Sequence, residues 1–393
     1  MHVLKYLTNP KCEKKPKDSL TSEYRLLCSG SLYRDGGGDP GKSEVARILL
    51  DEPFLLLAAS RPLEDYPLEL ALEVTVPHEV EQVGTNRVSI SFHPDEEVAR
   101  DFAALLCLLC RRLITVSGKL NERHSDYSHP LFGQRPCPMP FVTTMQRVYW
   151  RAHPLAVIYS QEGREYRDYN PQPKAVDPRR LTELLIGLPH MEHAESVVAS
   201  RRLYAVALEL IQERPDIAYQ LLISSVETMA NAALKQFQPD DAAKVEHKKA
   251  VYESAMSLGL GKEAAKKLAI EACRGEYWAT KKFKKFLMDN VAESVWTEQD
   301  ELFHQMSKDI LPKGQDFEKT LGKIYNARSK ATHVGEPFPI SASYSGGPSI
   351  NARAASVLFG TDGAFPPVVW FERIVHSALR GFWERSIATT TRR

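Results

Sequence analysis

The 393-residue sequence contains no apolar run long enough to cross a bilayer. Its longest, FAALLCLLC from Phe102 to Cys110, is stopped by Arg111 and Arg112, far short of the roughly 20 residues a spanning helix needs. Cysteine is scarce. The six present are scattered without framework spacing, a usage that suits a reducing compartment. Net charge is almost absent, at +1, so any attraction to nucleic acid or membrane has to come from a local patch. The opening MHVLKYLTNPKCEKKPKD turns polar before an apolar core develops, unlike a signal peptide. No repeat with a period of roughly 20–50 residues is visible. Metal-ligand spacing is also missing: Cys107 and Cys110 form a C-x-x-C inside an apolar run, with no second Cys or His pair nearby to complete four ligands. They are expected to be small buried residues, and no metal or cofactor is expected. These absences point to a cytoplasmic protein with no membrane partner.

What is present is an ordinary globular composition, 43% hydrophobic and 26% charged, and enough length for two domains. The first part mixes element types. PFLLLAA, LELALEVTV and NRVSISF are short, apolar and partly alternating, and read as strands. HPDEEVARDFAALLCLLCRRL reads as a helix, with Asp95 placed to cap it and acids in its first turn. From Glu122 to about Met145 the chain reads as loop, carrying four prolines in RHSDYSHPLFGQRPCPMPF. A strand PLAVIYS and a proline-bearing linker DYNPQPKAVDPRR follow. From about Leu181 helical periodicity dominates, with Asp216 placed to cap the helix that starts after Arg214-Pro215. A loop SASYSGGPSI leads to a last helix whose Val368, Phe371, Val375, Leu379 and Phe382 share a face. The expected architecture is an α+β domain over residues 1–180, followed by an all-α helical bundle over residues 181–393.

Two motifs carry chemistry. YRDGGGDPGKSEVARILL matches the phosphate-loop pattern G-x-x-x-x-G-K-[ST] through Gly36, Gly41, Lys42 and Ser43. The residues before it are polar where a buried strand should end, and PFLLLAAS closes on Ser60 rather than a magnesium-holding aspartate. A turn built from Asp and Gly explains the match, and nucleotide hydrolysis is the distant alternative.

The second motif is IYNARSKATHVGEPFP, Ile324 to Pro339. Arg-x4-His alone is a weak pattern in a chain with 12 histidines, and the looser Arg-x5-His recurs at Arg87/His93, Arg123/His129 and Arg147/His153. Context separates Arg328/His333 from these. Phe317, Leu321, Ile324, Arg328 and Ala331 trace one helix face, so a guanidinium sits on a stripe that should be apolar and needs a carboxylate, an interface or an anion. His333 falls at the helix end, before Gly335 as C-cap and Pro337. Residues five apart on an ideal helix point about 140° from each other, so the pair converges only if the last turn unwinds or if two copies meet. The structural alternative is Arg328 paired with an acid such as Glu227, with His333 over the C-terminal carbonyls.

Together, AYQLLISSVETMANAALKQF, KKFKKFL and FEKTLGKIYNARSKATHVG resemble a HEPN domain, most closely its Apea-like branch, over roughly Ala194 to Trp383. That resemblance implies a helical bundle that pairs as a homodimer, so that two Arg-x4–6-His motifs line one metal-independent endoribonuclease cleft. It implies Arg328 and His333 as catalytic, with Ser329 at the motif's polar position and Glu227 and Asn326 in support, and a role in stress or antiviral defence. The chemistry suits the residue types. The ribose 2′-OH attacks the adjacent phosphorus, His333 moves the proton, and Arg328 clamps the phosphate. A basic stretch supports RNA as partner: Lys235–Asp289 holds twelve Lys/Arg against eight Asp/Glu. YWATKKFKKF interleaves aromatics with Lys281, Lys282, Lys284 and Lys285, and Lys330 lies beside the motif. In the plainer reading Phe283 and Phe286 face the core and the lysines face water. The N-terminal domain is expected to bind a regulatory partner or ligand. A non-catalytic helical module for assembly is the alternative to the ribonuclease.

Overall fold

The computed structural model describes residues 19–28, 32–34, 50–51, 55–59, 68–77, 80–83, 86–89, 94–124, 174–211, 214–237, 241–272, 278–298, 314–336, 338 and 368–390. The strand expected at Pro154–Ser160, the proline-rich stretch beyond His124 and the SASYSGGPSI loop lie outside them.

The N-terminal strands are β1 (Ser19–Cys28), β2 (Leu32–Arg34), β3 (Leu50–Asp51), β4 (Leu55–Ala59), β5 (Leu68–Pro77), β6 (Val80–Val83) and β7 (Asn86–Ser89). Helix α1 (Pro94–Cys110) and strand β8 (Ile114–His124) complete this part. Five strands form one antiparallel sheet in the order β3-β4-β5-β1-β8. Strand β1 alternates from Thr21 to Arg25: Ser22 and Tyr24 are buried while Thr21, Glu23 and Arg25 are partly exposed, and its last residues, Leu26, Leu27 and Cys28, are buried on both faces. Helix α1 packs on the sheet through β8, β5 and β1. Strands β4, β5 and β7 fall where alternation predicts them, and Cys107 and Cys110 are buried on α1.

Asp95 is not a cap. It lies inside the first turn of α1 and is fully buried, accepting from Tyr24 Oη at 2.6 Å and pairing with Lys119 Nζ at 2.7 Å. Burial pushes its pKa upward, but the contacts from Lys119 and Tyr24 outweigh this and hold it below the ordinary 3.8. A depressed carboxylate stabilises the fold at pH values above its unfolded pKa, and that contribution is lost as pH falls through the folded pKa. Asp95→Asn should therefore lower stability at neutral pH and flatten the decline below about pH 3.8, measured as urea-unfolding free energy against pH.

The segment before residue 181 is more ordered than a linker. Strand β9 (Lys174–Val176) pairs in parallel with β2. Helix α2 (Pro178–Gly187) is capped by Asp177, whose carboxylate accepts from Arg179 N at 2.9 Å. Helices α3 (Ala194–Leu210), α4 (Pro215–Ala233), α5 (Asp241–Ser257), α6 (Lys262–Glu271), α7 (Ala279–Asn290), α8 (Ser294–Thr297), α9 (Gly314–His333) and α10 (Val368–Thr390) follow. Asp216 is likewise no cap: Arg214 is the N-cap residue, Pro215 takes the first helical position, and Asp216 binds Arg214 at 2.9 Å.

The described residues are thus mostly helical with an antiparallel sheet in the N-terminal part, an α+β segment followed by helices. The two parts share a continuous buried core across residue 180. Helix α1 has the sheet on one side and α3 and α10 on the other. Helix α10 buries more than the predicted face, since Trp370, Ile374, Ala378 and Trp383 are enclosed as well. Its one buried acid, Glu372, receives Arg111 through Nε at 3.1 Å and Nη2 at 2.6 Å, and Tyr204 Oη at 2.6 Å. Arg111 closes α1 in a left-handed conformation, φ 50°. The last carbonyls of α1 are met from α10, with the His376 ring N–H donating to Leu108 O at 2.8 Å.

Candidate functional site

Helix α9 follows the predicted stripe. Phe317, Leu321 and Ile324 are buried, and Phe317 meets Trp296 and Trp370 edge-on. The helix lies against α4 and α7. It stops where expected: Val334 N bonds Lys330 O, and Gly335 is left-handed with φ 76°, a conformation that a Cβ disfavours.

Arg328 and Tyr325 are three residues apart on α9, hence neighbours on its surface, and both reach Glu227 on α4. Arg328 Nη2 lies 2.8 Å from Glu227 Oε2, with side-chain exposures of 21% and 12%. Tyr325 Oη donates to the other oxygen, Oε1, at 2.6 Å. Burial, then the hydrogen bond to Glu227, push the Tyr325 pKa above its ordinary value, so the phenol stays protonated as the donor. Tyr325 is the member of this cluster that the sequence reading missed. Its signal is available, because a tyrosine three residues before an arginine on a helix shares that arginine's face. Tyr325→Phe should cost about 1.5–3 kcal/mol, the range for a hydrogen bond to a charged group, read from urea unfolding.

The carboxylate orients the guanidinium without saturating it. Among the described residues, Arg328 has the one ion-pair partner, through Nη2, and a guanidinium offers five donors. With a fifth of its side chain exposed, it retains N–H groups for an anion such as a phosphate. His333 and Asn326 are exposed, and Ser329 is intermediate. Helix α9 remains α-helical through His333, so the unwinding that would bring Arg328 and His333 together within one chain has not occurred. On this helix the two point about 140° apart.

The lysines expected to contact RNA are distributed rather than pooled. Lys282 is buried. Lys284 reaches across to Glu318 on α9 at 2.7 Å, and Lys285 pairs with Asp289 at 2.9 Å. Lys281 sits 4.9 Å from the Trp278 ring centroid, and Lys330 pairs with Glu336 at 3.3 Å. Phe283 and Phe286 face the core, as the plainer reading of that stretch has it. For the phosphate-loop motif, β2 supplies a strand just before Gly36, although it is three residues long and among the described residues pairs with β9 alone; Gly36 to Ser43 lie outside the described residues. Among the described residues, no group of three or more His, Cys, Asp or Glu is placed to hold a metal ion, and no helix is long and apolar enough to cross a membrane. Comparison with protein-family models, curated proteins and solved structures gave no match.

Proposed function

We propose that this chain is a metal-independent endoribonuclease of the HEPN type, acting as a dimer in which Arg328 and His333 of two copies line one cleft. The observation that carries the reading is the Glu227–Arg328 pair: a guanidinium fixed by one carboxylate oxygen, with donors to spare, on the helix that ends at an exposed His333. In the reaction the 2′-OH loses its proton to a base, its oxygen forms a bond to the neighbouring phosphorus, and the P–O bond to the 5′-oxygen breaks. The leaving oxygen takes up a proton, and a 2′,3′-cyclic phosphate remains. His333 transfers the protons, and Arg328 stabilises the charge on the phosphoryl oxygens. DNA, which lacks the nucleophile, is refused.

The test is incubation of purified protein in EDTA with an RNA and with its all-deoxy counterpart. The RNA is cut to cyclic-phosphate ends and the DNA is left whole; cleavage of both, or of neither, contradicts the proposal. A second reading, a non-catalytic assembly module, is favoured by one observation. Arg328 already has an acid, and an intact helix turns His333 away from it. In that case Arg328 supports the α4–α9 contact alone.

A further inference from the structure

Helices α5 and α6 form a hairpin that stands apart from the core. They pack on each other and are joined at Leu258–Gly261. There Gly259 is left-handed (φ 82°), and the amides of Gly259 and Leu260 bond back to Met256 O and Ala255 O, the Schellman closure of a helix. Between Lys244 and Ala272 the buried residues are Ala255, Ala265 and Ala269 alone, and none of them belongs to the continuous core. A ring contact of His247 with Trp278, at 4.9 Å, marks the root of the hairpin. Three alanines are little apolar surface to hold helices of 17 and 10 residues in water, where a helix below roughly 12–15 residues is marginal by itself.

Helix α5 carries a second stripe. Val245, Lys249, Tyr252 and Met256 follow at intervals of four, three and four, one helix face. That face is turned about 100° from the one that brings Ala255 to α6. Val245 is 66% exposed, and Leu258 at the tip is 79% exposed, so apolar side chains stand in water at both ends of the hairpin.

Charge selects what covers them. Residues 241–272 hold six lysines against five acids, so neither RNA nor an anionic membrane gains a net attraction here. Signs interleaved this evenly complement a second hairpin running the opposite way. A two-fold axis through the middle of the stripe sets Val245 against Met256 of the other copy. It sets Lys249 against Tyr252 of the other copy, with Glu253 beside it. Within one chain Lys249 and Glu253 are 3.9 Å apart and both well exposed, a loose pair that leaves each free to bond across the axis. Helix α5 is about 25 Å long and two helices side by side are about 20 Å wide. Pairing two such faces buries about 1,000 Å² in all, the floor for a specific interface. We propose that a second copy of this chain docks on the α5–α6 hairpin, the two hairpins pairing antiparallel as a four-helix bundle.

The hairpin leaves α4 just beyond Glu227 and leads into α7, where Phe283 lies 5.3 Å from Tyr325. The pairing surface therefore lies at the end of the helical part that carries the Arg328 cluster. The ribonuclease reading needs a dimer and the hairpin supplies a surface for one, but the pairing does not depend on cleavage.

Sedimentation velocity over a concentration series of the full chain tests it, with folding checked by circular dichroism. Wild type sediments as a dimer. Val245→Glu combined with Met256→Glu raises the dimer dissociation constant by about 100-fold or more, because like charges then face each other. Lys249→Glu weakens the dimer as well, and adding Glu253→Lys restores it. A monomeric wild type, or a dimer that the Val245→Glu/Met256→Glu variant leaves unchanged, overturns the proposal. If that variant does not fold, the two exposed charge positions decide: a dimer indifferent to Lys249→Glu overturns it, and loss with rescue by Glu253→Lys supports it. RNA cleavage is no readout here, so this surface and the ribonuclease reading fail separately.

Discussion

Replacing Glu372 with alanine is expected to destabilise the protein by about 3–5 kcal/mol, the range for removing one partner of a buried ion pair. Glu372 has no exposure, and Arg111 has 4%. The substitution strips the guanidinium of a bidentate carboxylate, Nη2 to Oε2 at 2.6 Å and Nε to Oε1 at 3.2 Å, and leaves the Tyr204 hydroxyl, also fully buried, without its acceptor at 2.6 Å. Burial, the largest influence on Tyr204, raises its pKa and persists in the variant, so the phenol cannot escape the penalty by ionising. Replacing both members of the pair with methionine should cost much less, since an apolar pair of similar volume avoids the desolvation of two charges. A double-mutant cycle by urea unfolding checks this. A double replacement that costs the sum of the two single replacements would mean that the pair is not coupled.

The second large effect is on catalysis. Arg328→Ala and His333→Ala should each lower RNA cleavage by two orders of magnitude or more, the scale of a positioned acid–base group being about 10²–10⁴. Their effects on stability should differ. His333 is exposed at a helix end, so its removal leaves the fold unchanged. Arg328 holds Glu227, so its loss weakens the α4–α9 contact as well. Because the two side chains diverge on an intact helix, the dimer is part of the prediction: specific activity should fall on dilution below the dimer dissociation constant. If Arg328→Ala loses stability while neither substitution affects any cleavage, the assembly-module reading gains.

Much of the helical architecture is legible in the sequence because its periodicity is strong. The stripe from Phe317 to Ala331 and the left-handed Gly335 place α9, and Val368, Phe371, Val375 and Leu379 are all buried on α10. The strands are harder. In β1 an inward Ser22 breaks the apolar alternation, and β8 carries Gly118 and Lys119 where a strand face would be apolar. Lys119 points inward because Asp95 is there to meet it, a fact that no local window contains. The same holds for Glu372 and Arg111, 261 residues apart. Asp95 and Asp216 read as caps because their spacing fits, but nearby cations bind both carboxylates instead. At the candidate site, Arg328 announces itself as a charge on an apolar stripe, and its pairing with Glu227 is among the sequence-level alternatives. Tyr325 blends into that stripe as one more aromatic.

The most direct measurement is the rate of RNA cleavage in EDTA by wild-type protein beside His333→Ala, at equal concentration and with dimerisation verified for both. Wild type is expected to cut the RNA and leave 2′,3′-cyclic phosphate ends, while His333→Ala, equally folded and dimeric, is slower by about 10²-fold or more. Equal rates in the two proteins, or no cleavage by wild type, would contradict the ribonuclease reading.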